Sequence, residues 1–360
     1  MEYVRPSIAA MKGYVPGIQP DPGQKYIKLN SNENPYPPSP RVREVLQRLN
    51  YDDLRVYPDP MSLELREKLG RLHGFSAEQI ICGNGSDDIL NMIVRTFAQP
   101  GEAISFYEPT FPLYKVLGVI QGVRNLAIPV DEPYDRPPDP PSEVKVFFLA
   151  NPNSPVGFLY PLSLVRDLAR KIRGVFVVDE AYVEFAPENA LSFVRQMENV
   201  IVVRTVSKSY SLAGVRLGYA IGRENLVQEM FKVKDPFNVN RLTQAVVSAA
   251  LKDQDYFRKN ISRIVETRDW FTREARAMGY RIIPSQGNFV FPQPPQKGRG
   301  IKFFQTLFDR KILTRHYDVE GLRDGVRMSI GTREEMEITL QVMNEILKIL
   351  SIVRLGFCSY

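Results

Sequence analysis

The stretch "NVIVVRTVSKSYS", from Asn199 to Ser211, joins a run of β-branched apolar residues to a cluster of small hydroxyl residues around one lysine, Lys208. A short continuous apolar run bounded by polar residues reads as a strand buried on both faces. The pattern recurs upstream. "GVFVVDEAYVEF" (174–185) has an apolar run from Val175 to Val178 with Asp179 at its carboxyl end, and "VKVFFLANPNSPVG" (144–157) runs from Val144 to Leu149 before "NPNSP" breaks it. "QIICGNGSDDILNMIVRTF" (79–97) passes from a strand through Cys82 into a glycine turn and a helix, where Ile89, Ile93 and Phe97 recur at helical spacing until Pro100 and Gly101 stop it. Strands alternating with helices predict an α/β fold, a mostly parallel sheet with helices on both faces. Ligands of such sheets sit outside the carboxyl ends of the strands, so these polar clusters predict one shared site.

From about residue 251 the pattern changes to a long polar helix, then "YRIIPSQGNFVFPQPP", then "VRMSIGT" and a final helix, which predicts a smaller α+β C-terminal domain. Thr332 and Glu335 form a capping box for the last helix, whose Met336, Leu340, Met343, Leu347 and Leu350 make one apolar, core-facing stripe. The expected division is an N-terminal arm with part of the small domain over 1–45, a large domain over 46–250 and the small domain over 251–360.

Composition narrows the chemistry. A chain of 360 residues, 44% hydrophobic and 24% charged, is expected to be soluble and globular. Its net charge of +6 is spread without a Lys/Arg block, so nucleic acid is not an expected partner. Cys82 and Cys358 are too few for a disulfide framework, and the N-terminus has no signal-peptide apolar region. With no run of membrane-spanning length either, the expected location is the cytoplasm, without membrane contact. His73 and His316 are not in ligand-like spacing, so neither a metal site nor Ser-His-Asp catalysis is expected. Chemistry then falls to Lys, Asp, Tyr, Arg or a cofactor.

Just beyond an apolar strand, the Lys208 amine is expected to be partly desolvated, which lowers its pKa and suits imine formation with an aldehyde cofactor; the bland alternative is a solvated loop lysine. Arg216 and the Ser207 and Ser209 hydroxyls can hold an anion beside it. The Gly85-Ser86-Asp87 turn offers helix N-terminal N–H groups to the same anion, or is only a turn. Asp179 reads as a helix cap, a metal ligand, or the partner of a pyridine nitrogen, which would make that ring an electron sink.

Together, "GNGSDD", "NPNSPVG", "DEAYVEF", "SKSYSLAGVRLGY" and "VRMSIGTREE", in this order, resemble the fold-type I pyridoxal-phosphate aminotransferases. "RPSIAAMKGYVPG", "LNSNENPYPPSP" and "RVYPDP" are similar to the histidinol-phosphate aminotransferase branch, and the resemblance runs from about residue 5 to residue 350. It implies pyridoxal 5′-phosphate as cofactor, with Lys208 as its imine-forming nucleophile and as the general acid/base between the substrate α-carbon and the cofactor C4′. Asp179 would pair with the pyridinium nitrogen and Tyr182 with the phenolic oxygen. The phosphate would be held by Arg216, Ser207 and the backbone of Ser86 and Asp87, with Phe111 stacked on the ring. Tyr57 would reach the cofactor phosphate of a neighbouring subunit, making the active unit a homodimer.

The superfamily reads Asn-Pro-Thr-Gly where this chain has Ser154-Pro155-Val156-Gly157, so Asn153 is assigned the contact to the phenolic oxygen, with Ser154 as the alternative. Arg327 would bind the substrate, taking the phosphate of one and the carboxylate of the other, with Tyr14 and Arg315 near the phosphate. The implied reaction moves the amino group of L-histidinol phosphate to 2-oxoglutarate, giving imidazole-acetol phosphate and L-glutamate, in histidine biosynthesis. An aromatic aminotransferase or a threonine-phosphate decarboxylase would share Lys208, Asp179 and Arg216. A regulator that senses the cofactor would need a DNA-binding domain, for which the chain before the core is too short.

Overall fold

The apolar runs become strands of a seven-stranded sheet: β1 Ile80–Gly83, β2 Ala103–Glu108, β3 Arg124–Pro129, β4 Val146–Ala150, β5 Val175–Asp179, β6 Val200–Thr205 and β7 Gly218–Ile221. The structure, a computed structural model, describes residues 3–132 and 134–355, with side chains as far as residue 348. Spatial order is β1-β7-β6-β5-β4-β2-β3. β7 runs antiparallel to both neighbours and every other pairing is parallel. Side chains alternate across a strand, so a strand in the middle of such a sheet is apolar on both faces over most of its length. β6 shows this: Val200 and Val202 join one core cluster, Ile201 and Val203 the other. Each valine fully removed from water contributes roughly 1.5–3 kcal/mol.

Two boundaries differ from the sequence reading. β4 begins at Val146, because the ladder to β2 starts at the Ile104–Val146 pair, while Val144 is buried outside it. Asp179 is the last paired residue of β5, opposite Ala150 on one side and Val203 on the other.

Helices α1 Ser86–Phe97 and α2 Leu113–Gln121 follow β1 and β2. C-terminal to the sheet come α3 Gln254–Ala277, a three-stranded antiparallel sheet in the order Phe289–Val290, Val326–Ser329, Arg315–His316, and α4 Arg333–Leu355. The capping box forms: Thr332 N–H donates to Glu335 Oε2 at 2.7 Å and Glu335 N–H to Thr332 Oγ1 at 3.2 Å. Met336, Leu340 and Met343 are buried and Leu347 packs on the same cluster; the Leu350 side chain and Cys358 lie outside the described residues. Ile27–Lys28 pairs in parallel with Ile312–Leu313, which seats the N-terminal segment on the C-terminal layer. Among the described residues no helix is long and apolar enough to cross a membrane.

Candidate active site

Parallel strands deliver their carboxyl ends to one sheet edge, and antiparallel β7 begins at that edge, so the loops after β2, β4, β5 and β6 and the segment before β7 meet there. They enclose a cavity of about 320 Å³. Of the residues singled out in the sequence, Lys208, Asp179, Tyr182, Phe111 and Ser154 line it, as do one group of Ser86, Asp87, Ser207 and Arg216 and another of Tyr14, Arg315 and Arg327.

Asp179 is 5% exposed, and burial pushes its carboxyl up to about 6. Two donors oppose the rise: the Tyr114 O–H gives a hydrogen bond to Oδ2 at 2.6 Å, and the Ala181 N–H one to Oδ1 at 3.2 Å. Lys208 moves the opposite way for the same reason, pushed down to about 8 by burial and then by the positive charge of Arg327. At pH 7 about a tenth of such an amine is neutral, against roughly one part in three thousand for an ordinary lysine. Its Nζ donates to the Ser31 carbonyl at 3.1 Å.

In the first group, α1 starts with Gly85 at φ 87° and no side-chain cap, leaving first-turn N–H groups unclaimed by a cap. A Cβ on Gly85 would lie 2.4 Å from an Arg216 terminal nitrogen, and one on Gly218 would lie 2.2 Å from the Ser86 nitrogen. Two glycines therefore let β7, the α1 start and Arg216 close into one cradle. Arg216, itself at φ 59°, forms a half-exposed ion pair with Asp87 at 3.3 Å. An uncapped helix start, a guanidinium and a hydroxyl make a donor set suited to a phosphate.

In the second group Arg327 donates to the Asn30 carbonyl at 2.8 Å and to Ser154 Oγ at 3.4 Å. Its Nε is buried without a hydrogen-bond partner among the described residues. Arg315 donates to the Val15 carbonyl at 2.7 Å, which anchors the N-terminal segment carrying Tyr14. The Tyr14 ring meets Phe111 edge-on at 6.0 Å between centroids.

Two assigned residues lie elsewhere. The Asn153 amide donates to the Pro109 carbonyl at 3.0 Å and its side chain is outside the cavity lining, where Ser154 stands instead; adjacent residues in the turn point to different sides. Tyr57 is exposed and stacks on Phe237 at 4.3 Å, away from this cavity. Ser209 is buried and is not part of the lining, and neither histidine lines it: His73 Nε2 sits 2.9 Å from the Tyr219 hydroxyl, and His316 Nε2 sits 3.0 Å from the Arg323 carbonyl. Among the described residues no group of His, Cys, Asp and Glu is arranged to hold a metal.

The structure adds residues that the sequence reading gave no role. Tyr114 stands three positions after Phe111 in "EPTFPLY", packs edge-on against it at 5.9 Å and reaches Asp179 from behind the cavity lining. Asn30, Ser31 and Asn32, inside "LNSNENPYPPSP", bring backbone and side-chain polar groups against Arg327, Lys208 and Tyr182. Tyr317 lies between Arg315 and Arg327, its ring centroid 5.7 and 5.9 Å from the two guanidinium carbons.

The family model described as "Aminotransferase class I and II" matches residues 24–343. A crystal structure of histidinol-phosphate aminotransferase from Sinorhizobium meliloti in complex with pyridoxal-5′-phosphate superposes with a TM-score of 0.87, at 27% identity over 97% of this chain and 99% of that one. A Thermus thermophilus aspartate aminotransferase, at 19% identity and a TM-score of 0.80, shares the fold. Histidinol-phosphate aminotransferases of Geobacter sp. (strain M21) and Geobacter sulfurreducens are 48% and 49% identical, each over 95% of this chain and 98% and 99% of their own lengths. The chain belongs to the class I and II aminotransferases and, within them, to the histidinol-phosphate aminotransferase family.

Proposed function

We propose that the protein holds pyridoxal 5′-phosphate on Lys208 and transfers the amino group of L-histidinol phosphate to 2-oxoglutarate, giving imidazole-acetol phosphate and L-glutamate, in cytoplasmic histidine biosynthesis. The observation that carries this reading is the convergence of part-buried Lys208 and buried Asp179 on one cavity that is also lined by a phosphate cradle and by Arg315 and Arg327. The donor set fits the cofactor: Asp179 would pair with the ring nitrogen, Tyr182 and Ser154 would hold the phenolic oxygen, Phe111 would stack on the ring, and Ser86, Asp87, Ser207 and Arg216 would hold the phosphate. Ser154 replaces Asn153 because it lines the cavity and Asn153 does not.

When bound, the cofactor supplies a pyridine ring that accepts negative charge developing at the substrate α-carbon. Asp179 keeps a proton on the ring nitrogen, aided by Tyr114, which satisfies one carboxylate oxygen and leaves charge for the ring. The Lys208 amine, largely desolvated, takes the proton from the substrate α-carbon and delivers it as a general acid. Arg327 presents a fork whose Nε is unspent, and a guanidinium fork suits the phosphate of one substrate and the carboxylate of the other equally. Tyr14 and Arg315 add a hydroxyl and a second positive charge on that side.

The active unit in this reading is a homodimer in which Tyr57 reaches the neighbouring cofactor phosphate. Its support is the exposure of Tyr57 outside its own cavity, beside exposed Leu54, Val56 and Leu242. Residues 1–45 and 251–360 then make the arm and small domain and 46–250 the large domain, a division supported by the pairing of Ile27–Lys28 with Ile312–Leu313.

The test is an absorbance titration of the protein loaded with pyridoxal phosphate. L-Histidinol phosphate should bleach the yellow band at a lower concentration than L-phenylalanine or L-threonine phosphate, and 2-oxoglutarate should restore it. Bleaching won by phenylalanine would overturn the substrate; no yellow band would overturn the role of Lys208.

A further inference from the structure

Asn32 is 1% exposed and sits at φ 53°, in the left-handed region that asparagine tolerates better than most residues. Every polar group it carries is engaged. Its N–H donates to Ser329 Oγ at 2.8 Å and its carbonyl accepts from Asn288 Nδ2 at 3.0 Å. In the side chain, Oδ1 accepts from Ser329 Oγ at 3.2 Å and Nδ2 donates to the Tyr182 hydroxyl at 3.0 Å. The amide is placed with its oxygen toward Ser329 and its nitrogen toward Tyr182. An amide NH₂ donates and cannot accept, so the Tyr182 oxygen accepts here and its own proton must go elsewhere. A phenolic O–H lies near the ring plane and has two orientations. Asn32 blocks one, and Phe289, packed edge-on at 4.9 Å, holds the ring so that the other opens on the cavity that Tyr182 lines.

We propose that Asn32 is a positioning residue that fixes the direction of the Tyr182 hydroxyl, so that it donates into the cavity, to the phenolic oxygen of bound pyridoxal phosphate. The inference rests on the proposed function and extends it, because it ties the cofactor's phenolic oxygen through one residue to Ser329 and Asn288 of the C-terminal layer.

The test is Asn32→Asp, in which an acceptor of the same shape replaces the donor and draws the Tyr182 proton away from the cavity. The reading is the pH midpoint of the yellow band in cofactor-loaded protein, with Asp87, Asp179, Lys208, Arg216, Arg315 and Arg327, the charged groups on the same lining, left unaltered. A hydroxyl donating to the phenolic oxygen favours its deprotonated form, so losing that donor should let the yellow band persist to higher pH by roughly half to one unit. Tyr182→Phe should move the midpoint in the same direction, and the double variant no further than Tyr182→Phe alone. Asn32→Gly, which accepts the positive φ without strain, should give a smaller shift of the same sign and serves if the aspartate variant does not fold. An unmoved midpoint, even with a lowered melting temperature, or a shift that persists in the Tyr182→Phe background, overturns the inference. Absence of the yellow band in the unaltered protein instead overturns the functional reading beneath it.

Discussion

Burial lifts the Asp179 carboxyl from 3.8 to about 6, so between about pH 4 and 6 the folded chain binds a proton there more readily than the unfolded chain. The cofactor-free protein therefore loses stability as pH rises through that window. Asp179→Asn removes the buried charge, and at pH 8 it should raise the melting temperature of the cofactor-free protein by about 2–4 °C, with the gain fading near pH 4. Thermal scans at the two pH values check this, and an equal gain at both would refute it. The same variant should lose transaminase activity, since the ring nitrogen loses its partner. Lys208 has the opposite sign: depressed from 10.5 to about 8, it contributes stability above 10.5 that is lost as pH falls through about 8. Stopped-flow absorbance should show the yellow band forming faster as pH rises through about 8, and Lys208→Ala should form none. Both residues were legible in the sequence because each ends an apolar run. Tyr114 and Asn32 were not, because their roles exist only in contacts made across 65 and 150 positions.

A strand carries more than the residue at its end. On β6, one step before Thr205, Arg204 is 5% exposed and donates from Nε to Glu180 Oε2 at 2.8 Å, with a Glu184 oxygen at 4.0 Å. Glu184 is pushed up to about 7 by burial despite that neighbour. This arginine ties β6 to the turn after β5, which carries Tyr182. Arg204→Ala strands two buried carboxylates and should cost about 3–5 kcal/mol of stability near pH 8. The loss should shrink toward pH 5, where the freed carboxyls can take protons, and urea denaturation at both pH values reads the difference. A pH-independent loss would point to packing alone. The strands β1, β4, β5 and β6 were readable as apolar runs, since both faces are covered, whereas β2, β3 and β7 were not singled out, β3 being a partly exposed edge strand; the β4 start was not legible, because apolarity marks burial and Val144 is buried without being paired. The contact at "NPNSP" was equally illegible, because a turn's backbone path decides which of Asn153 and Ser154 faces inward.

At the scale of the molecule, Tyr51, Leu54, Val56 and Tyr57 stand 80%, 59%, 49% and 74% exposed on one surface segment, with Phe237 stacked against Tyr57. Contiguous exposed apolar surface marks an interaction site. Light scattering should give about twice the 41.2 kDa chain mass. Leu54→Arg should shift the protein to monomer and weaken cofactor binding by about tenfold, the loss of one hydrogen bond to a charged group; a monomeric unaltered protein, or a monomeric variant with undiminished binding, would break the proposed role of Tyr57. The order of the layers was legible from the change of periodicity near residue 251, while the expected share of residues 1–45 in the small domain rested on no local signal.

The return of the N-terminal segment onto the C-terminal layer sets when the site comes into being. Asn32 and Ser329 are 297 positions apart, and Arg315 holds Val15 across 300. On a ribosome, the strands from Ile80 to Ile221 emerge and can pair long before those partners exist. A growing chain can therefore carry Lys208 and Asp179 on a paired sheet while Asn32, already made, still lacks the Ser329 partner that seats it beside Tyr182. The substrate side of the site therefore arrives last in synthesis, with the segment that carries Arg315 and Arg327, after every residue of the phosphate cradle has been made.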